Sequence, residues 1–272
     1  MASKRPLPFV LAATNHGSMI VNRNDYRMVD DKNGYGVGFQ LLNTSSFDQD
    51  EVSFALALLN LRQKYFGRGV VAIDGGANVG VHTIEWAKHM HGWGTVHAFE
   101  AQEKIYYALA GNVAINNCLN ASAHFAALGA ECGEIKIPVP DYLVPASFGS
   151  LELKQNKTNE FIGQAINYDD AAMQSVALKS IDSFNWPRID FIKIDVEGME
   201  VDVLLGAEKT IAQNHPMMMI EIIKTDKVKV EAFLSKHGYK NYPMGINLLA
   251  IHETDPANQN LKLSETGLNL TL

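Results

Sequence analysis

From residue 69 onward the chain alternates between two hydrophobic rhythms. Short, nearly continuous apolar runs at 70–74, 95–100, 121–128, 189–195 and 217–223 read as strands covered on both faces. Between and after them, at 79–91, 103–116, 199–213 and 227–237, apolar residues recur every three or four positions, the period of a helix with one buried face. A last apolar run at 247–252 closes the series. Strands alternating with helices predict an α/β domain built on a doubly wound, mostly parallel sheet.

Upstream, residues 1–50 are polar and glycine-bearing, with Gly34-Tyr-Gly-Val-Gly38 followed by a short apolar run from Phe39 to Leu42. This predicts an N-terminal extension with a hairpin or two, leading into a helix over 48–65. Val52, Phe54, Ala55, Leu58, Leu59 and Leu61 would form the buried face of that helix, and Ser45 or Ser46 its cap. Residues 129–182, rich in Gly, Pro, Asn and Ser, read as an irregular insertion between the third and fourth strands. The economical organisation is one domain, 51–272, carrying the insertion and preceded by the extension.

Composition narrows the function classes. With 47% hydrophobic residues among 272, the chain can bury a sizeable core, and a net charge of −7 gives it no overall electrostatic footprint for nucleic acid or anionic lipid. Cys118 and Cys132 form no CxxC or Cys/His spacing, so a reduced, cytoplasmic setting is expected. Lys4 and Arg5 precede a run from Leu7 to Ala13 that superficially suggests a secretory leader, but the run is short and carries a proline. No stretch approaches the ~20 apolar residues of a membrane span.

The candidate chemistry begins in Val71-Ala-Ile-Asp-Gly-Gly-Ala-Asn-Val-Gly-Val-His-Thr83, where a strand breaks into a glycine-rich turn. Ligands of open parallel sheets bind beyond the carboxyl ends of the strands. Glycines allow close backbone approach there, and the free N–H groups of the following helix suit a carboxylate. Asp74 would suit an ammonium beside it. Glu100, twenty residues after Gly80 at the end of the second strand, is placed to accept hydrogen bonds from ribose hydroxyls. An amino-acid moiety at one turn and a ribose at the next add up to S-adenosylmethionine. Other readings stay open. Gly75 to Gly80 also fits a relaxed dinucleotide fingerprint, as in a nicotinamide-dependent Rossmann oxidoreductase, though no clear catalytic Tyr/Lys pair accompanies it. A non-catalytic nucleoside-binding module, or a tight turn alone, is a plainer alternative. A P-loop is excluded, since no Gly-Lys-[Ser/Thr] follows.

A second constellation lies in Lys193-Ile-Asp-Val-Glu-Gly-Met-Glu200, where alternation puts Lys193 and Asp195 on one side of a strand. Glu197 and Glu200 suit the N-terminus of the next helix. Glu221, inside an otherwise apolar strand, is either a partner for Lys193 or a group facing the ligand. Asp195, Glu221 and His82 are candidate bases, and Lys193 a candidate for orienting the acceptor. Asp195, Glu197 and Glu221 could also hold Mg²⁺, although no metal is favoured. Ser147 and Ser150, in a loop of the insertion, are candidates for approaching the acceptor or simply for facing solvent.

The blocks Ile73-Asp-Gly-Gly-Ala-Asn-Val-Gly80, Ala98-Phe-Glu100 and Ile189-Asp-Phe-Ile-Lys-Ile-Asp-Val-Glu-Gly-Met-Glu200 resemble the FkbM family of S-adenosylmethionine-dependent methyltransferases over residues 70–223. The resemblance implies a Rossmann-like class I fold of seven strands with the last antiparallel. It also implies methyl transfer, most often to oxygen, on a sugar or secondary metabolite. Cofactor positions expected on this basis are Asp74, Gly75, Gly76, Ala77, Asn78, Gly80, Thr83, Glu100, Ala101, Leu128 and Asp195, with Asp195, Glu221, Lys193 and His82 as catalytic candidates. The partner expected is a small-molecule acceptor, met on the side of the 1–50 extension, rather than nucleic acid or membrane. Where the family usually has Glu-Pro, this chain has Glu100-Ala-Gln102, so the adenosine-side loop departs from the pattern.

Overall fold

The computed structural model describes residues 6–264 and 267–271. The extension opens with the hairpin β1 (Phe9–Thr14) and β2 (Gly17–Asn22), then the short pair β3 (Arg27–Met28) and β4 (Gly34–Tyr35). The apolar run at 39–42 falls inside α1 (Val37–Thr44), which buries Val37, Gly38 and Leu41. Ser45 ends this helix in a left-handed conformation, its N–H bonded to Leu41 O, so it caps nothing downstream. The next helix, α2 (Gln49–Phe66), starts after Asp48 with no side-chain cap; neither expected serine serves it.

The alternating region then runs β5 (Val70–Gly75), α3 (Val81–His89), β6 (Gly94–Glu100), α4 (Glu103–Ile115), β7 (Ala121–Phe125) and β8 (Ala127–Leu128). Beyond it come β9 (Gly133–Ile137), β10 (Gln174–Lys179), β11 (Phe191–Ile194), α5 (Glu200–Leu205), α6 (Glu208–Asn214), β12 (Met217–Glu221) and α7 (Lys227–Lys236). The chain closes with β13 (Tyr239–Met244), β14 (Asn247–His252), and the hairpin β15 (Leu261–Ser264) and β16 (Gly267–Leu270).

The main sheet has seven strands in the order β13-β14-β12-β11-β5-β6-β7. Strands β12, β11, β5, β6 and β7 are parallel, whereas β14 runs antiparallel to both of its neighbours. This is the expected architecture of class I methyltransferases, a mostly parallel sheet whose last strand is reversed. β5 carries β11 on one side and β6 on the other, so strand order reverses at β5 and a crevice opens at its carboxyl end. Alternation sorts the core. Ala72, Phe191, Met217 and Met219 face α2 and α3, while Ile73, Ile192, Ile194, Met218 and Ile220 face α5 to α7, all fully buried. Each of these side chains larger than Ala72 contributes about 1.5–3 kcal/mol by leaving water.

Two predicted elements divide. The run at 121–128 bends at Ala126, whose N–H reaches the carbonyls of Glu100 and His124, and β8 leaves the main sheet to pair with β10. With β9 they form a separate three-stranded sheet, so the insertion at 129–182 contains strands rather than loop alone. The helix at 199–213 breaks at Gly206-Ala207 into α5 and α6. Edge strand β13, absent from the sequence reading, carries Pro243, which only an edge tolerates.

The extension is bound firmly to this frame. The fully buried Asn112 of α4 accepts from Ile20 N (2.5 Å) and donates to the carbonyls of Ile20 and Val79. Asp25 accepts N–H groups from Gly38 and Phe148 (both 2.9 Å), joining the extension to the insertion. Burial raises the Asp25 carboxyl to about 6 despite those two bonds. Among the described residues no helix is long and apolar enough to cross a membrane.

Candidate active-site cleft

A cleft of about 320 Å³ lies beyond the carboxyl ends of β5, β6, β11 and β12. Of the residues expected to bind or react, Asp74, Gly76, Ala77, Asn78, Gly80, His82, Glu100, Ala101, Leu128, Lys193, Asp195 and Glu221 line it, as do Ser147 and Ser150. Gly75 and Thr83 stand behind the wall. A side chain on Gly75 would press on Leu128 and the Lys193 carbonyl, and Thr83 is fully buried.

The glycine turn is shaped by the protein's own bonds. Gly76 has φ +79°, and a Cβ there would lie 1.7 Å from the carbonyl oxygen of Asp195. The N–H groups of Gly76 and Ala77 donate to Phe99 O (3.1 and 2.9 Å), Asn78 N–H to Glu100 Oε2 (3.0 Å), and Gly80 N–H to Ala77 O (2.9 Å). The turn's own amides are therefore committed within the protein, which leaves the amides of the following helix as the donors a ligand could meet. α3 begins at Val81 rather than 79, and its first bond is Ile84 N–H to Gly80 O. The open donors are the first-turn amides of Val81, His82 and Thr83.

Asp74 is 1% exposed. Its Oδ2 accepts from Thr83 Oγ1 at 2.5 Å, while Oδ1, equally buried, has no hydrogen-bond partner among the described residues. A buried carboxylate oxygen without a donor is costly unless a ligand supplies one. Glu100 accepts backbone N–H groups on both oxygens, from Asn78 and from Gln102 (2.7 Å). Burial pushes its carboxyl up to about 7; the backbone bonds pull the other way, and the charge of Asp74 adds to the rise. In the loop that departs from the family pattern, Gln102 donates to Phe148 O (2.8 Å) and accepts from Tyr142 OH (3.1 Å), tying the loop to the insertion. The cleft wall beside it is apolar, with Ala101, Ala126, Ala127, Leu128 and Leu153.

The opposite end is acidic. The buried Lys193 donates to Asp195 Oδ2 at 2.6 Å. Burial works against its charge, but Asp195, Glu51 and Asp74 outweigh burial and hold the ammonium well above its usual range. Glu51, from the first turn of α2, meets His82 Nε2 at 3.1 Å and accepts from Asn247 Nδ2 at 2.7 Å. Burial opposes its ionisation, yet the bonds from His82 and Asn247 and the charge of Lys193 bring it down to about 2. Glu221 has no hydrogen bond or ion pair to its carboxylate among the described residues. Burial and then the charge of Asp195 push it up to about 8, against the pull of Lys193.

Glu197 sits at φ +54°, a left-handed conformation unusual for a side chain of this size. Lys224 Nζ reaches its Oε2 at 2.6 Å, and also Glu160 Oε2 and Ser150 O, each at 2.8 Å. Glu200 accepts from Val196 N and Gly198 N (3.0 and 3.2 Å), pinning the loop that aims Glu197; it serves the backbone and does not line the cleft. Among the described residues one carboxylate group, Asp195 with Glu197 and Glu221, has oxygens within 4.8 Å of one another, as a metal would require. Lys193 and Lys224 already neutralise two of the three.

The sequence pointed to the extension as the acceptor side but named none of Tyr35, Val37, Gln40 and Phe47, which line the cleft from it, and it gave no role to Glu51, Gln102, Lys224 or Asn247. Glu51 reads as an ordinary first-turn acid, and only the tertiary fold turns it inward. The one available signal was Gln102, at the point where the family pattern breaks.

The sheet, mostly parallel with β14 reversed, has the architecture of a class I methyltransferase. The chain belongs to the FkbM methyltransferase family: the family description "Methyltransferase FkbM domain" matches residues 74–240. Methyltransferase 1 of Beauveria bassiana (strain ARSEF 2860) is 27% identical over 148 residues, covering 50% of this chain and 57% of that relative. The chain thus spans little more than half the length of the curated relative it matches. Similar solved structures include methyltransferase FkbM from Methylobacillus flagellatus KT, at 17% identity over 79% of this chain and 58% of that one, TM-score 0.47. Another is the Pyrococcus abyssi tRNA (uracil-54, C5)-methyltransferase in complex with S-adenosyl-L-homocysteine, at 13% identity over 90% of this chain and 44% of that one, TM-score 0.39.

Proposed function

We propose that the cleft holds S-adenosylmethionine with its ammonium at Asp74, its carboxylate at the amides of Val81 to Thr83 and its ribose at Glu100, and that the chain methylates a hydroxyl of a small acceptor such as a sugar or secondary metabolite. The observation that carries this reading is the partnerless Oδ1 of Asp74, buried at the cleft wall beside an N-terminus of α3. A buried anion beside open amide donors suits a zwitterion, which satisfies both at once. The bound cofactor supplies an electrophilic methyl group on a sulfonium, open to in-line displacement. Everything else falls to the chain. Ala101, Leu128 and Leu153 offer the base an apolar slot, and Lys193 with Asp195 forms the floor on which an acceptor rests. Glu221 takes the hydroxyl proton as the C–O bond forms, because its carboxylate alone at this end is held by no other side chain. The extension, through Tyr35, Val37, Gln40 and Phe47, and the insertion, through Ser147 and Ser150, wall the acceptor end and limit it to small molecules.

Titration calorimetry with S-adenosylmethionine tests the proposal, and absence of binding at millimolar ligand sinks it. Glu100→Ala is expected to weaken cofactor affinity by ~1–3 kcal/mol through loss of a charge-assisted contact. Unchanged affinity in that variant would displace the ribose from Glu100.

A further inference from the structure

The acceptor end of the cleft carries a charge imbalance that the cofactor does not remove. Asp74 and Glu100 are committed to the cofactor in the reading above, on which the present inference rests. That leaves Asp48, Glu51, Asp195, Glu197 and Glu221 on the lining, against a single lining lysine, Lys193. Lys193 serves Asp195 directly, at 2.6 Å, and Glu51 through its field. Lys224 approaches Glu197 from behind the wall and divides its charge with Glu160. Among the described residues no arginine lines the cleft. Burial and the charge of Asp195 hold Glu197 and Glu221 short of ionisation, so beyond its lysine pairs this end presents carboxyls that a neutral or anionic acceptor leaves protonated and a cationic one would ionise, in a partly buried site where charges are poorly screened.

We propose that the acceptor is a hydroxylated amine, an amino sugar or amino alcohol whose protonated amino group lies among Glu197, Glu221 and Asp195 while its hydroxyl meets the methyl group. The oxygens of these three residues lie within 4.8 Å of one another, close enough for one ammonium to donate to more than one of them. Glu197 is held toward this point in a left-handed backbone conformation, braced by Gly198 N–H and Val196 N–H on Glu200, and such strain is retained where a side chain must be aimed. Tyr35 and Phe47 on the facing wall add aromatic surface, which favours a cation over an anion. The same arrangement rejects phosphorylated or carboxylated acceptors, including a nucleic-acid backbone, by like-charge repulsion.

The arrangement also couples binding to chemistry. Burial and Asp195 keep Glu221 largely protonated at neutral pH. An ammonium beside it would favour the ionised form, so the acceptor itself would release the proton and arm the base.

The probes are D-glucosamine, D-glucose and D-glucose 6-phosphate, titrated calorimetrically into protein saturated with S-adenosylhomocysteine, in two buffers of different ionisation enthalpy. Glucosamine is expected to bind roughly tenfold more tightly than glucose, with net proton release, and the phosphate not at all. Glu197→Gln should shrink the preference for the amine several-fold. Glucose or its phosphate binding as well as glucosamine overturns the inference, as does binding of none of the three. So does Mg²⁺ alone occupying this end and abolishing the amine preference. Failure of S-adenosylhomocysteine itself to bind strikes instead at the methyltransferase site, and is read separately in the first titration.

Discussion

A methyl group placed on Gly76 would lie 1.7 Å from the carbonyl oxygen of Asp195, so the first turn of the site and the loop after β11 are in backbone contact. One position thereby sets the distance between the glycine turn and the acidic residues Asp195 and Glu197 on the loop after β11. Gly92 makes a useful contrast: its φ of +77° is nearly the same, but nothing lies within 4 Å of its missing Cβ. Gly92→Ala should cost only the left-handed penalty, about 1 kcal/mol, in urea denaturation. Gly76→Ala should cost roughly 3 kcal/mol or more and remove cofactor binding, since relief requires moving a strand end rather than a side chain. Equal costs for the two would mean the turn yields. At Glu221 the expected effect is kinetic. With an uncharged acceptor that is turned over, the rate should rise with pH as its carboxyl, raised to about 8 in the unliganded cleft, ionises, and Glu221→Gln should abolish that rise while leaving cofactor affinity within about twofold. A pH profile unaltered by the substitution would assign the base elsewhere.

Between elements, the acceptor end is held together chiefly by Lys224. Its ammonium joins the loop after β12 to Glu197 on the loop after β11 and to Ser150 and Glu160 of the insertion. Glu160 in turn accepts from Tyr35 and Arg27 of the extension. Lys224→Met leaves Glu197 without its cation and is expected to destabilise the fold by on the order of 3 kcal/mol. Hydrogen exchange should show lost protection at 148–162 but not in β5 or β11; uniform loss, or none, would count against this lysine as the tie. The tie also marks the limit of sequence legibility. The parallel strands, their helices and the turn at 75–80 were readable because each is coded by local periodicity and by glycine at a strand end. The inward turn of Glu51, the edge strand β13 and the departure of β8 into a second sheet were not. Each depends on a partner distant in the chain: His82 and Asn247 for Glu51, β14 for β13, and β10 for β8. The extension and the insertion read as loose decorations for the same reason, whereas Asn112 and Asp25 bond them into the frame.

For the molecule as a whole, the cleft concentrates carboxyls whose ionisation folding opposes. In the folded chain Glu100 titrates near 7 and Glu221 near 8, and Glu197 is also raised, each chiefly by burial. A carboxyl whose pKa is raised on folding contributes stability that is fully present below its unfolded value and is lost as pH rises through the folded one. Among the other strongly shifted groups, Glu51, held near 2, is ionised in both states, and Lys193 and Lys224 are charged in both. Asp25, raised to about 6 by burial, adds to the decline at the lower end of this range. His97, which burial lowers to about 4, works the other way: the unfolded chain still binds part of a proton there at pH 6.5, so its penalty fades toward pH 8 and offsets a small part of the decline. The melting temperature of the unliganded protein should therefore decline from pH 6.5 to 8. A cationic ligand reverses the logic, since it favours the ionised carboxyls that the empty cleft resists. S-adenosylmethionine should flatten the decline more than S-adenosylhomocysteine does, because the two differ by the sulfonium charge. Differential scanning fluorimetry across this range decides the matter: a flat profile without ligand, or equal flattening by the two nucleosides, would show that the acidic end does not sense the charge it is built around.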